Sequence, residues 1–186
     1  PAPTFSLSTT NGKSLATADL KGDDTVTVLN FFAVNCPYCA KQLPRVEKLR
    51  PAYEAKGVRF VNVSQTMRKP YTKEEVIAKC DSLGWKGEIA VDPKNAVGPL
   101  FNARSYPSLF VVSRDGTVGE VVVGNKGNLE QALRDSINAM LKPGYKAPKP
   151  LPASAKATAK PTKRPQELMI GKPAPQFASA PSRCPA

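Results

Sequence analysis

A chain of 186 residues, 41% of them hydrophobic, can bury one core and carry something beyond it, and no apolar run approaches the ~20 residues of a membrane helix. The net charge of +12 is unevenly placed: residues 142–186 hold nine Lys and Arg against the single acid Glu167, while residues 1–141 hold eighteen against fourteen, with no basic stripe interleaved with aromatics, so no nucleic-acid partner is expected. Histidine is absent, which removes Ser-His and Cys-His catalysis, His-ligated zinc and imidazole proton shuttles together.

The chain opens at Pro1 with neither Met nor a signal-peptide pattern, so a trimmed mature form is expected, with any export signal or membrane anchor outside it. Residues 1–20 read as an extended entry with a turn at Asn11-Gly12. Thr25 to Val34 is almost continuously apolar, as in a central strand covered on both faces, and runs directly into Cys36-Pro37-Tyr38-Cys39. Leu43, Val46, Leu49 and Tyr53 then recur at helical spacing to about Lys56, with a kink expected at Pro44. A strand over Val58–Val63 follows. Thr72 and Glu75 form a capping box for a helix that stops at Gly84.

A short strand near Ile89–Val91 and a brief helix around Asn95–Phe101 come next. The strands Ser108–Ser113 and Thr117–Val123 are joined by Arg114-Asp115-Gly116, and a last helix capped by Asn128 runs to Leu141. This β-α-β-α-β-α-β-β-α order predicts an α/β fold, a mixed sheet between helices, over residues 1–141. From Lys142 the composition changes, and ten of the nineteen prolines fall in the last 45 residues. Residues 142–186 are expected to be a largely disordered linker or tail, with attraction to an acidic partner or an anionic membrane surface as the alternative to a merely solvated one. Pro173-Ala174-Pro175-Gln176-Phe177 repeats the pattern of Pro1-Ala2-Pro3-Thr4-Phe5, either by coincidence or as the start of a second, truncated module.

The chemistry lies in the paired cysteines. At a strand-to-helix junction, Cys36 sits where unpaired backbone N–H groups and the helix dipole favour a negative sulfur, which lowers its pKa. Cys39, within the first turn, is close enough to attack a mixed disulfide on Cys36. Pro37 suits a first-turn position because its missing N–H costs nothing there. A closed zinc site needs two further ligands, and Cys80 and Cys184 stand isolated, so no metal is expected. Cys80 shares an apolar helix face with Val76, Ile77 and Leu83 and reads as a buried, inert thiol. Cys184 is a trimming remnant, a dimerising thiol or part of a second module. Phe32 belongs to the core or to a peptide-binding surface.

Asn30-Phe31-Phe32-Ala33, then Cys36-Pro37-x-Cys39 and Leu43-Pro44, resembles the active-site strand and helix of the thioredoxin superfamily, and most of all its exported TlpA/ResA-like thiol–disulfide oxidoreductases. The likeness covers residues 1–141 and includes Ala2-Pro3-x-Phe5, Asp92-Pro93, and Tyr106-Pro107 before Ser108–Val112 and Asp115-Gly116. It implies a thioredoxin-like fold and a redox-active Cys36–Cys39 disulfide. It also implies a cis Pro107 beside the cysteines, and a client segment pairing with the backbone at Tyr106. An ordinary trans proline opening a strand is the alternative at Pro107. Pro37 and Tyr38 complete the expected client surface, and no cofactor is needed.

The departures are informative. Asn35 stands where thioredoxins usually carry Trp. Asn30 and Gln42 stand where relatives carry acids, so neither can take a proton from Cys39, and no general base is named. Pro37-Tyr38 is the dipeptide of glutaredoxins, so a glutathione-dependent enzyme is an alternative, although Ser105-Tyr106 replaces the Thr-Val expected before the cis proline. A thiolate metal carrier lacks its wider cysteine spacing and its histidine here. A peroxiredoxin would need Thr where Ala33 stands. The expected partners are client thiols and disulfides and an upstream redox partner, the expected state a monomer, and the expected location the bacterial periplasm or another extracytoplasmic space.

Overall fold

The computed structural model describes residues 4–20, 25–67 and 70–146. The contacts group residues 1–148 as one unit, to which everything below belongs. The expected tail beyond Lys146, with its second Pro-Ala-Pro-x-Phe and Cys184, lies outside the described residues, as does Ala2-Pro3.

Among the described residues, seven strands form one mixed sheet in the order β2-β1-β5-β4-β3-β6-β7. The elements are β1 (Ser6–Thr9), β2 (Ser14–Ala16), β3 (Thr27–Ala33), α1 (Pro37–Glu47), α2 (Arg50–Glu54), β4 (Arg59–Gln65), α3 (Lys73–Ser82), β5 (Glu88–Val91), α4 (Val97–Leu100), β6 (Ser108–Val112), β7 (Val118–Val123) and α5 (Leu129–Met140). β3 pairs in parallel with β4 and β4 with β5, whereas β6 runs antiparallel to both β3 and β7. This is the thioredoxin-like fold that the sequence resembles.

All seven residues of β3 are buried, as its unbroken apolar run requires. Alternation sends Val28 and Phe32 to one face, where they meet Leu43 and Val46 of α1, Val76 and Cys80 of α3, and Leu133 and Ile137 of α5. Leu29 and Phe31 point to the other face, against Phe5, Phe101 and Phe110. The Phe31 and Phe110 rings meet edge to face at 5.5 Å. Phe32 is therefore core.

The extended entry with its turn at Asn11-Gly12 is present as a hairpin: β1 and β2 pair at the sheet edge beside β5, and Gly12 at φ +83° makes the turn after Asn11. Two local expectations are corrected. The helix opened by the cysteines does not run unbroken to Lys56. It contains Pro44 but stops at Glu47, because Pro51 has no N–H for the Glu47 carbonyl and its ring crowds that oxygen; α2 restarts with Pro51 in its first turn. Asn128 stands at the start of α5 without a side-chain capping bond, and Gln131 instead donates to Asp135 at 2.8 Å. The Thr72–Glu75 capping box is present in both directions. Past the end of α5, Tyr145 packs against the core.

Burial outweighs capping in this fold. Leu43→Ala, which removes a fully buried side chain of α1, is expected to lower the unfolding free energy by about 3 kcal/mol, and Thr72→Ala by about 1 kcal/mol, in denaturant titrations with unchanged slopes.

Candidate active site

β3 ends at Ala33, and its carbonyl accepts the Cys36 N–H at 3.1 Å, a tight turn that starts α1. Cys36 is the residue that caps α1. Its backbone is extended (φ −90°, ψ 112°), and its sulfur accepts the Cys39 backbone N–H at 3.2 Å. A sulfur thus takes the place of the usual Ser, Asp or Asn oxygen. Pro37 follows as the first helical residue, as expected. Cys36 and Cys39 form a disulfide with Cα atoms 5.2 Å apart. Of the two, Cys36 is the more accessible, at 5% against 2%, and exposed Asn35, Pro37 and Tyr38 (64%) flank it.

The second wall comes from the loop before β6. The Tyr106–Pro107 peptide bond is cis, and the Tyr106 carbonyl oxygen lies 3.6 Å from Cys36 Sγ. The sequence-predicted residues Cys36, Cys39, Tyr106 and Pro107 are therefore brought together from positions seventy apart. Tyr106 is half-buried, and burial, aided by the negative charge of Asp92, raises its hydroxyl pKa, so the hydroxyl remains a donor at neutral pH.

Two α1 side chains brace this wall. Gln42 Nε2 donates to the Gly124 carbonyl at 3.5 Å, and the Gly124 N–H donates to the Pro107 carbonyl at 2.8 Å. Arg45 donates to Asn125 Oδ1 at 2.6 Å, to the Lys126 carbonyl at 2.7 Å and to the Gly127 carbonyl at 3.0 Å, and pairs with Glu130. That pairing raises the Arg45 pKa and lowers that of Glu130. Sequence reasoning missed Arg45. Nothing in its local pattern separates it from any other basic residue near a helix end.

The two amides at acid positions are both buried. Asn30 Nδ2 donates to Asn62 Oδ1 at 2.9 Å, while Asn30 Oδ1 and Gln42 Oε1 have no hydrogen-bond partner among the described residues. Neither amide can hold a proton for Cys39. Among the described residues there is no group of three or more Cys, Asp or Glu placed to hold a metal ion.

Comparison with known proteins agrees with this geometry. A family model described as the AhpC/TSA family matches residues 1–121. The chain belongs to that family. It is 31% identical over 135 residues to the thioredoxin-like protein YneN of Bacillus subtilis, covering 71% of this chain and 76% of that protein. It is 30% identical over 145 residues to the thiol-disulfide oxidoreductase ResA of the same organism, covering 77% and 75%. A solved Chlorobium tepidum structure, provisionally named thiol:disulfide interchange protein DsbE, superposes with a TM-score of 0.66 at 26% identity over 76% of this chain and 95% of that one. This AhpC/TSA member is a thiol–disulfide oxidoreductase of the ResA-like, thioredoxin-fold kind.

Cys80 of the oxidoreductase is fully buried, and Asn62 Nδ2 lies 4.0 Å from its sulfur. Burial pushes its pKa from an ordinary 9.0 up to about 12, against the pull of that amide. Folded Cys80 keeps its proton where the unfolded chain ionises, so its share of stability is complete below pH 9.0 and declines as pH rises toward about 12. In reduced Cys184→Ser protein at neutral pH, a thiol reagent is expected to leave Cys80 unmodified in the native state and to reach it only after denaturation, so that the native count stays below three. A native count of three contradicts the buried assignment.

Proposed function

We propose that Cys36 is the attacking thiolate and Cys39 the resolving thiol in disulfide exchange with client proteins, and that Pro37, Tyr38, Tyr106 and Pro107 form the client-binding surface. The observation that carries this reading is the Cys36 sulfur at the start of α1, accepting the Cys39 N–H. A negative sulfur accepts that bond more strongly than a neutral thiol, so the position favours the thiolate. The more accessible sulfur is also the one beside the Tyr106 carbonyl.

In the reducing direction, the Cys36 thiolate attacks one sulfur of a client disulfide. A Cys36–client disulfide forms, and the other client sulfur leaves as a thiolate. Cys39 then loses its proton to solvent and attacks Cys36 Sγ, which closes the Cys36–Cys39 disulfide and releases the second client thiolate. The client gains two electrons and the cysteine pair loses two. An upstream dithiol restores the pair, and each step runs backward when the client is to be oxidised.

The working module is residues 1–141, with Tyr145 packed onto it, and residues 142–186 serve as a tail. The protein acts as a monomer in the periplasm or a similar extracytoplasmic space, where disulfides persist. The Pro/Lys/Ala composition of the tail, the likeness to ResA and the interchange chemistry support this placement. No helix among the described residues is long and apolar enough to cross a membrane.

Cys36→Ser is expected to abolish exchange with a protein disulfide, and Cys39→Ser to accumulate a client-linked species on a non-reducing gel that thiol reductant dissolves. Trapping by Cys36→Ser in place of Cys39→Ser would reverse the two roles.

A further inference from the structure

A buried polar relay reaches the reacting sulfur from the interior. Gln65 is the last residue of β4 and stands in register opposite Ala33, three residues before Cys36. It is 2% exposed, and its Nε2 donates to the Ser64 carbonyl at 3.0 Å and to Asp92 Oδ2 at 2.8 Å. Asp92, equally buried, also accepts the Ala96 N–H at 2.9 Å and the Val97 N–H at 2.8 Å, so its carboxylate is held at the start of α4. The Gln65 amide is thereby oriented: its nitrogen faces a carboxylate and a carbonyl, and its Oε1 faces the Tyr106 hydroxyl, which donates to it at 3.4 Å. Tyr106 in turn carries the carbonyl oxygen 3.6 Å from Cys36 Sγ.

Gly98 leaves the space that this arrangement needs. A Cβ there would collide with Gln65 Oε1 and lie 3.1 Å from Gln65 Cδ. A Leu at 65 and a Phe at 106 would fill similar volume without burying an amide, a hydroxyl and a carboxylate together, and apolar replacements of buried polar sets are often neutral or stabilising. Core packing alone therefore does not account for the relay, which ends on Tyr106, whose carbonyl oxygen faces the reacting sulfur from the opposite wall.

We propose that Gln65 is a positioning residue for client binding, fixing the Tyr106 ring so that the 106–107 backbone meets a client segment while the client sulfur faces Cys36. The assignment rests on the proposed role of Tyr106 and Pro107 as client surface. Asp92 orients Gln65, Gln65 orients Tyr106, and Gly98 keeps the site open for the amide.

Steady-state reduction of insulin by the full chain tests this. Gln65→Leu and Tyr106→Phe are each expected to raise the insulin KM about threefold, the weight of one long hydrogen bond, with kcat changed by less than about 1.5-fold. The double variant is expected to match either single one, because both remove the same bond. Gly98→Ala, which keeps both partners and displaces the amide, is expected to raise KM to the same degree. Tyr106→Phe leaves the donors to Asp92 in place, so it reads the relay even where Gln65→Leu loosens the fold. Additive losses in the double variant, or an unmoved KM in Tyr106→Phe, overturn the proposal. Pro107→Ala separates the two readings. If it raises KM and the relay variants do not, only the positioning role fails; if it too leaves KM unmoved, the client surface is misplaced and both fail.

Discussion

The hydrogen bond from the Cys39 N–H to the Cys36 sulfur is the contact on which the rest of the site depends. One interaction does two things. It satisfies a backbone donor that every helix start leaves orphaned, and it surrounds the sulfur with the partial positive charge of that start. Capping bonds contribute roughly 0.5–2 kcal/mol, and one pKa unit corresponds to about 1.4 kcal/mol, so the cap alone is of the size needed to move a thiol by about a unit. The Tyr106 carbonyl on the other side opposes this, since its oxygen favours a protonated sulfur. On the proposed reading, those two backbone groups act on the Cys36 sulfur in opposite senses.

That balance requires two chain segments far apart in sequence to hold their separation. β3 supplies one fixed point: seven buried residues in the middle of the sheet give the cysteine turn a rigid base. Leu43 and Val46, both fully buried, hold α1 down on that base. The cis-proline loop is tied back to α1 through Gln42, Gly124 and the Arg45 contacts with residues 125–130. The Arg45–Glu130 pair alone adds little as a surface ion pair. Its value is geometric, because one guanidinium fixes two carbonyls and an amide of the loop that carries Gly124.

The parts of this protein that could be read from its sequence are those written in local pattern. The apolar run of β3, the Cys36–Cys39 spacing and the Thr72–Glu75 box each announce themselves within ten residues, and the likeness to a known family pointed to the cis Pro107. What local pattern leaves out has physical reasons. Short β1 and β2, rich in Ser and Thr, owe their order to pairing with each other and with β5, which no local period reports. Helical spacing carries Leu43 through Tyr53 without a break, and the stop after Glu47 comes from Pro51, whose ring removes a hydrogen bond from that carbonyl. Gln65 was invisible because its partners, Asp92 and Tyr106, are 27 and 41 residues away. A lone glutamine at a strand end has no signature.

The thiolate state of Cys36 is the most direct gauge of the whole account. It is measured by following thiolate absorbance of the reduced full chain across pH, with Cys36→Ser as the blank. A Cys36 midpoint at or below about 7.5 is what a sulfur capping a helix predicts. A midpoint in the ordinary thiol range of about 8.5 to 9.0, or above it, contradicts this and would mean that the helix start does not activate this sulfur.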